Sequence, residues 1–156
     1  ANHGMVEKNV HAMEGINSRL DSLQAAMLSV KLKYIQSWNK KRIQHANLYS
    51  SLLRDVTSIK KPHVRESVKH VFHLYVIRTD KRDALQKHLS TKGIQTSIHY
   101  PLALPFLEPY QSGNHKSEEF PIAYRDQQQI LSLPLYPELT DGQIIFVCNS
   151  IKQFFQ

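Results

Sequence analysis

The chain has 156 residues, 41% of them hydrophobic and 21% charged, a composition typical of one globular domain rather than of a disordered chain. No apolar run approaches the roughly 20 residues that a membrane-spanning helix needs, and the opening residues contain no signal-peptide core. A single cysteine, Cys148, excludes an internal disulfide and a multi-cysteine zinc site. These features favour a cytoplasmic protein with no membrane partner.

The net charge of +7 favours anionic partners such as nucleotides, phosphates or nucleic acid. The basic residues occur in small groups rather than in one tail, and such groups are ordinarily solvated faces and loop ends. The chain starts at Ala1, and its opening residues resemble an internal loop. We therefore expect a fragment of a longer protein.

The first third of the chain is predicted to be mainly helical. Residues 1–17 are polar and contain two glycines, which predicts an irregular segment. Ser18 and Asp21 form an S-x-x-D capping box, with Asn17 as a competing cap. Apolar residues then recur at helical spacing, so residues 18–54 are predicted to form one helix of roughly 55 Å or two helices that meet near residues 38–41. We expect this helical segment to link to a large domain absent from this chain, and without that domain to expose its apolar residues or bury them by self-association.

Residues 55–156 are predicted to form a small α/β domain. Segments rich in β-branched and aromatic residues predict three strands: 70–78, 94–100 and 130–136. Capping residues and apolar periodicity predict three helices: 81–90, 121–129 and a last helix that starts at the T-x-x-Q capping box of residues 140–143. The proline-rich segment 101–120 is predicted to be a long functional loop. This order of elements is typical of an α/β domain.

The sequence gives little support for a metal site or a catalytic nucleophile. His70 and His73, three apart in a predicted strand, would point to opposite faces and could not chelate one ion together. His99 has no nearby histidine or carboxylate at ligand spacing, so we predict no metal site. Cys148 lies on the apolar face of the last predicted helix, which favours a core role. No nucleotide-binding or hydrolase motif is present in the sequence.

Two segments carry side chains suited to anionic or hydroxylated ligands. In GINSRLDSLQAAML, Asn17 and Arg19 stand at a predicted helix start, where backbone N–H groups and the helix dipole favour a phosphate. The alternative is that Asn17 is a plain cap and Arg19 is solvated. In GIQTSIHYP, His99 and Tyr100 end a predicted strand and could bind hydroxyls or phosphates. The alternative is a half-buried histidine and a packing tyrosine.

Taken together, these segments resemble the DegT/StrS-type family of pyridoxal-phosphate (PLP) dependent sugar aminotransferases. GINSRLDSLQAA is similar to the family's stretch after the cofactor lysine. HLYVIR, GIQTSIHYPLALPFLEPY, FPIAYRD and ILSLPLYPELT are similar, in order and spacing, to its C-terminal domain. The resemblance implies the C-terminal portion of a fold-type I enzyme: a long helical segment and then a small α/β domain with a mostly antiparallel sheet.

The resemblance also implies an activity and residue roles. Members of the family transfer an amino group, usually from glutamate, to the keto carbon of a nucleotide-linked sugar, in amino-sugar or surface-polysaccharide biosynthesis. They act as homodimers with PLP. Asn17 is similar to a residue that reaches the PLP phosphate of the neighbouring subunit, and Arg19 to one near that phosphate or the substrate diphosphate. His99 and Tyr100 are similar to the loop that lines the sugar-nucleotide pocket. Pro105 stands where some members carry a further histidine, which leaves the sugar open.

The resemblance further implies that the lysine that holds PLP lies upstream of residue 1. We therefore expect no catalytic residue in this chain and no activity of the chain alone. A PLP-dependent sugar dehydratase, in which another base replaces that lysine, remains an alternative within the family. A basic α/β module that binds nucleic acid or another polyanion is the alternative from a different class, and it predicts binding that weakens steeply with salt.

Overall fold

The computed structural model describes residues 5–7, 10–13, 15–16, 20–113 and 115–156. The chain divides into two compact units, residues 1–37 and 38–156, which are described separately.

The first unit contains a short hairpin and a helix. Strands β1 (Met5–Glu7) and β2 (Val10–His11) pair antiparallel, within a segment for which the sequence predicts irregular structure. Helix α1 spans Ser22–Leu32, and Asp21 caps it, because its Oδ1 accepts a hydrogen bond of 2.8 Å from the backbone N–H of Leu23. The helix thus begins four residues after the predicted capping residue Ser18, which lies outside the described residues.

Helix α1 has no buried residue. Its large apolar side chains, and that of the preceding residue 20, are each more than half exposed: Leu20, Leu23, Met27, Leu28, Val30 and Leu32. Such an apolar surface on a helix is typical of one that packs against a partner.

A second helix, α2, spans Ile35–Leu52. Of the two alternatives for residues 18–54, the structure has two helices, and they meet at residues 33–34 rather than at 38–41. The N–H groups of Lys33 and Tyr34 bond three residues back, to the carbonyls of Val30 and Lys31. Such tightened bonds are common where an α-helix ends, so a helix can stop here without glycine or proline.

The second unit is built on an antiparallel pair of strands, β3 (Tyr75–Arg78) and β4 (Ile130–Leu133). Isolated bridges extend this pair at Lys60, which pairs with Arg78, and at Ser97, which pairs with Ser132. All three predicted strands are longer than the observed pairing. Phe72, at φ 51°, interrupts the extended backbone of 70–78, and Pro134 has no N–H with which to continue β4. Residues 94–100 contribute only the bridge at Ser97.

Three helices of the second unit match the predicted ones closely: α3 (Arg82–Thr91), α4 (Pro121–Gln129) and α5 (Asp141–Phe155). Gly93 follows the end of α3 by two residues, and its φ of 74° lies in the left-handed region that favours glycine. The capping box of α5 is formed as predicted: Gln143 N donates to Thr140 Oγ1 at 3.3 Å, and Thr140 N donates to Gln143 Oε1 at 2.9 Å. The long loop contains two short 3₁₀ helices, Leu104–Phe106 and Glu108–Gly113.

One hydrophobic core joins the elements of the second unit. Its fully buried side chains come from α2, both strands, α3 and α5, and include Tyr49, Tyr75, Ile77, Leu85, Leu131 and Ile144. Cys148 belongs to this core, with an exposed fraction of 1%, and burial raises the pKa of its thiol to about 12. The core role predicted for Cys148 is therefore confirmed. The predicted fold class, a small α/β domain with an antiparallel sheet, is therefore confirmed. The small domain was predicted over residues 55–156, whereas this compact unit begins at residue 38 and includes most of α2.

Helix α2 is also tied to the segment that follows β4. Three side chains on successive turns of α2 form hydrogen bonds with backbone carbonyls of that segment. We call these three side chains the α2 clamp: Arg42, His45 and Tyr49. They bond to the carbonyls of residues 135, 136 and 134 at 2.9, 3.2 and 3.0 Å. These carbonyls lie just beyond the end of β4, which stops before Pro134. The clamp gives them hydrogen-bond partners and so fixes the chain beyond β4.

Candidate functional site

His99 and Tyr100 follow a short stretch of chain that is pinned to strand β4. The backbone N–H of Ser97 donates to the carbonyl of Ser132 at 3.2 Å, and the N–H of Ser132 donates to the carbonyl of Ser97 at 2.7 Å. These two bonds fix residue 97 on the sheet. His99 therefore starts the long loop from a defined position.

His99 is half-buried, and its Nδ1 lies 2.9 Å from Oγ of Ser132. Ser132 itself is only 4% exposed. The rings of His99 and Tyr100 meet edge to face at 5.7 Å, and the peptide bond between them is cis. Tyr100 is 73% exposed. The structure thus places His99 in a hydrogen-bonded position and Tyr100 at the surface.

A cavity of about 490 Å³ lies beside His99. Its size is within the range of small-molecule sites. Polar side chains line part of it: Gln95, Thr96, Ser97, Ser132 and Gln143. Apolar residues of the loop before α5 and of α5 itself line another part: Leu139, Phe146 and Val147. This lining offers both hydrogen-bonding groups and apolar surface to a ligand.

Tyr100 lines a different cavity, of about 460 Å³, between the start of the long loop and α4. That cavity is largely apolar, with Leu102, Leu104, Leu107 and Ile130 in its wall. The two residues predicted to bind substrate are therefore neighbours in space but open onto separate cavities. Neither residue belongs to the wall of the other's cavity.

The start of the long loop is hydrogen-bonded to α4 at the wall of this second cavity. Gln127, which is 8% exposed, accepts a hydrogen bond of 2.7 Å from the backbone N–H of Ala103 through its Oε1. Phe106 meets the rings of Phe120 and Tyr124 edge to face at 6.5 and 5.5 Å. These contacts give the beginning of the loop a definite shape.

Asp126 is an acidic residue in the wall of the second cavity. Both of its carboxylate oxygens accept hydrogen bonds from Nη1 of Arg78, at 2.7 and 2.8 Å, and Arg125 adds two to Oδ1, from Nε at 3.0 Å and from Nη2 at 2.9 Å. Desolvation raises the pKa of Asp126, but the hydrogen bonds and charges of the two arginines outweigh it and lower the pKa. Asp126 is therefore an ionised carboxylate whose charge is paired with two arginines. It has a structural role and does not exchange protons near neutral pH.

The predicted cofactor residues Asn17 and Arg19 lie outside the described residues. The physical argument for a phosphate beside them relied on a helix start at their position. Helix α1 instead begins at Ser22, and the carboxylate of Asp21 already accepts a hydrogen bond from one of its N-terminal N–H groups, that of Leu23. An anion at that terminus would meet a negative charge, so the two assignments depend on the family resemblance alone.

Ser132 and Gln127 are polar residues near the site that the sequence reasoning missed. Ser132 lies in β4 and Gln127 in α4, and both are buried. A serine inside the apolar run ILSL was the available signal, because a buried hydroxyl requires a partner. The identity of that partner, His99, depends on a bridge between distant segments that periodicity does not reveal.

Two other kinds of feature are absent from the described ranges. No group of three or more histidine, cysteine, aspartate or glutamate side chains in the described part of the chain could hold a metal ion. No helix among these residues is long and apolar enough to cross a membrane.

The second unit is thus a small α/β domain with a cavity beside His99 whose volume is in the range of small-molecule sites. The sequence of residues 1–152 matches that of the DegT/DnrJ/EryC1/StrS aminotransferase family, and the chain belongs to this family. The resemblance predicted from the sequence motifs is confirmed.

Individual relatives agree with this assignment. A dTDP-3-amino-3,4,6-trideoxy-α-D-glucose transaminase of Streptomyces venezuelae is 36% identical over 154 residues, covering 98% of this chain and 40% of the relative. The crystal structure of S. venezuelae DesV in complex with a ketimine intermediate has a TM-score of 0.91 at 34% identity, covering 99% of this chain and 42% of DesV. NtdA from Bacillus subtilis, solved with bound cofactor PMP, has a TM-score of 0.77 at 28% identity, covering 97% of this chain and 38% of NtdA. The chain thus spans about two fifths of the length of these relatives.

Proposed function

We propose that this chain is the C-terminal region of a PLP-dependent enzyme that transfers an amino group, from glutamate, to a keto sugar carried by a nucleotide. The observation that carries the proposal is the match of nearly the whole chain, in sequence and in fold, to one continuous part of nucleotide-sugar transaminases. The net charge of +7 is compatible with a diphosphate-bearing substrate.

In this proposal the cavity beside His99 takes part of the nucleotide sugar. His99 offers a ring nitrogen to it, and the side chains of Gln95, Thr96 and Gln143 offer further hydrogen bonds. Tyr100, exposed beside His99, contacts the same substrate from the edge of the neighbouring cavity. The walls of both cavities in this domain thus serve to bind and orient the substrate.

PLP, when bound, supplies the electron sink that allows an amino group to move between donor and acceptor. The amide of Asn17 and the guanidinium of Arg19 are donors suited to its phosphate, and we assign them that role across a homodimer interface. The lysine that holds PLP belongs, in this proposal, to another part of the parent protein. We place that protein in the cytoplasm, with its nucleotide-sugar substrate.

The test uses the full-length parent protein, purified with PLP. Amino transfer from glutamate is measured on a panel of 3-keto and 4-keto sugars linked to dTDP or UDP. We expect His99→Ala to raise KM for the nucleotide sugar by about tenfold or more, which corresponds to roughly 1.4 kcal/mol, with unchanged PLP absorbance. Asn17→Ala is expected to weaken PLP retention instead.

Tyr110→Phe is a suitable control, because Tyr110 is 53% exposed and lies outside both cavities described above. A parent protein that neither retains PLP nor aminates any nucleotide sugar would refute the proposal. The mass of the product separates the alternative within the family, because a dehydratase removes water without adding nitrogen. Salt-sensitive binding of nucleic acid, together with failure to bind PLP, would favour the polyanion-binding module.

A further inference from the structure

The backbone of Ser132 lies between two paired segments, strand β3 on one side and the bridge at Ser97 on the other. It stands opposite Val76 of β3 in the sheet register. On its other side, both its backbone N–H and its carbonyl bond to Ser97, at 2.7 and 3.2 Å. These bonds fix the backbone of Ser132, and its buried side chain places the hydroxyl 2.9 Å from Nδ1 of His99.

This hydrogen bond can be formed in two ways. Either the hydroxyl donates to an unprotonated Nδ1, or a protonated Nδ1 donates to the hydroxyl oxygen. In the second arrangement the hydroxyl proton of Ser132 needs another acceptor. His99 is the one side-chain hydrogen-bond partner of that hydroxyl within the described part of the chain, and Ser132 is only 4% exposed. Since a buried donor left without an acceptor is costly, the first arrangement is favoured.

We propose that Ser132 is a positioning residue that donates to Nδ1 and thereby holds His99 in the Nε2–H tautomer. With Nδ1 occupied, Nε2 is the ring nitrogen left for a ligand in the cavity that His99 lines. His99 then acts as a hydrogen-bond donor and recognises an acceptor oxygen, such as a carbonyl, a hydroxyl or a phosphate oxygen. This part of the inference rests on the proposed function, because the nucleotide sugar is the ligand that supplies the oxygen.

The tautomer is tested by NMR on the 156-residue chain labelled with ¹⁵N-histidine, at a pH where the ring is neutral. The His99 signals are identified as those lost in His99→Gln. We expect Nδ1 to show the shift of an unprotonated nitrogen that accepts a hydrogen bond, and Nε2 to be protonated. In Ser132→Ala the Nδ1 signal should move toward that of a free acceptor nitrogen, and Ser132→Thr should restore it.

Ser97→Ala is the matched control for this measurement, because it removes a hydroxyl from the paired segment but keeps the backbone bridge to Ser132. Its Nδ1 shift should equal that of the unmodified chain. A protonated Nδ1 in the unmodified chain would overturn the proposal. So would an Nδ1 signal that is unchanged in a folded Ser132→Ala variant.

A kinetic experiment on the full-length parent enzyme tests the consequence for the substrate. Ser132→Ala is expected to raise KM for the nucleotide sugar about fivefold to tenfold with a smaller change in kcat, and Ser132→Thr should stay near the unmodified value. Combined with His99→Ala, Ser132→Ala should add nothing, because it acts through that ring. Additive losses would overturn the positioning role. If the enzyme turns over no nucleotide sugar, the proposed function fails, while the NMR result still decides the tautomer.

Discussion

Replacing Tyr49 with phenylalanine removes one hydroxyl from the centre of the core and leaves the ring in place. The side chain of Tyr49 is fully buried, and its ring stacks on that of Tyr75 at 5.0 Å. Its hydroxyl donates to the carbonyl of Pro134 at 3.0 Å as one of the three contacts of the α2 clamp. The substitution therefore deletes a single buried hydrogen bond and leaves that carbonyl without its donor.

Near pH 7 the substitution is expected to lower the free energy of unfolding by about 1–2 kcal/mol, because the hydrogen bond is lost and the carbonyl of Pro134 is left poorly solvated. For a chain of this size that lowers Tm by roughly 3–6 °C. The cost should also depend on pH. Burial, followed by nearby Cys148 and Tyr75, raises the pKa of Tyr49 well above its ordinary value of 10.0.

The sign of the pH effect follows from which state keeps the proton. Above pH 10 the unfolded chain releases the Tyr49 proton while the folded chain retains it, so stability falls as pH rises. The loss from this one group reaches about 1.4 kcal/mol at pH 11. Tyr49→Phe lacks that loss. The two proteins should therefore differ by about 1–2 kcal/mol at pH 7 and by little at pH 11.

The assay is urea denaturation of both proteins, followed by circular dichroism, at several pH values from 7 to 11. Tyr110→Phe is the matched control, because Tyr110 is 53% exposed and should give no difference at any pH. A stability gap for Tyr49→Phe that stays constant from pH 7 to pH 11 would refute the reasoning about its ionisation. Absence of a gap at pH 7 would refute the role of the clamp contact.

Other predictions follow from the surface and from α5. Asp126→Asn should cost about 0.5–1 kcal/mol near neutral pH, since the pair with Arg78 is about one third exposed. Because the folded pKa of Asp126 is lowered, this contribution should vanish as pH falls below that pKa, which pH-dependent denaturation midpoints would reveal. Thr140→Ala should cost about 1 kcal/mol by removing the capping box with Gln143, whereas Thr140→Ser should retain most of it; retention of full stability by the alanine variant would contradict this role. Cys148 should react with a chromogenic thiol reagent only after denaturation, and rapid reaction of the folded chain would contradict its burial.

The helices of the second unit could be predicted from the sequence because their signals are local. Thr140 and Gln143 lie three residues apart, and an apolar stripe of five residues follows them, so cap and face agree within one segment. The strands were predicted too long because the features that end them are not all local in the sequence. Their composition favours extended backbone, but their length depends on partners that are distant in sequence and on the interruptions at Phe72 and Pro134.

The site was predictable only in part. The position of His99 at the end of a strand-like segment and at the start of a proline-rich loop marked it as a candidate. Its hydrogen bond to Ser132, across 33 residues, could not be inferred without the fold. That His99 and Tyr100 line different cavities could not be inferred either, because the wall of each cavity combines segments that are distant in sequence. The substrate-binding roles of His99 and Tyr100 and the cofactor-binding roles of Asn17 and Arg19 stay predictions.

The α2 clamp also has a consequence for the order in which the domain assembles. Its three hydrogen bonds join residues separated by 93, 91 and 85 positions. Contacts that close loops of this size must first overcome a large loss of chain entropy, and domains rich in them fold slowly. During synthesis, helix α2 emerges long before residues 134–136 exist. Until then His45 and Tyr49 lack their native acceptors and Arg42 has only the carbonyl of His73, so the buried face of this helix is completed only when residues 134–136 arrive.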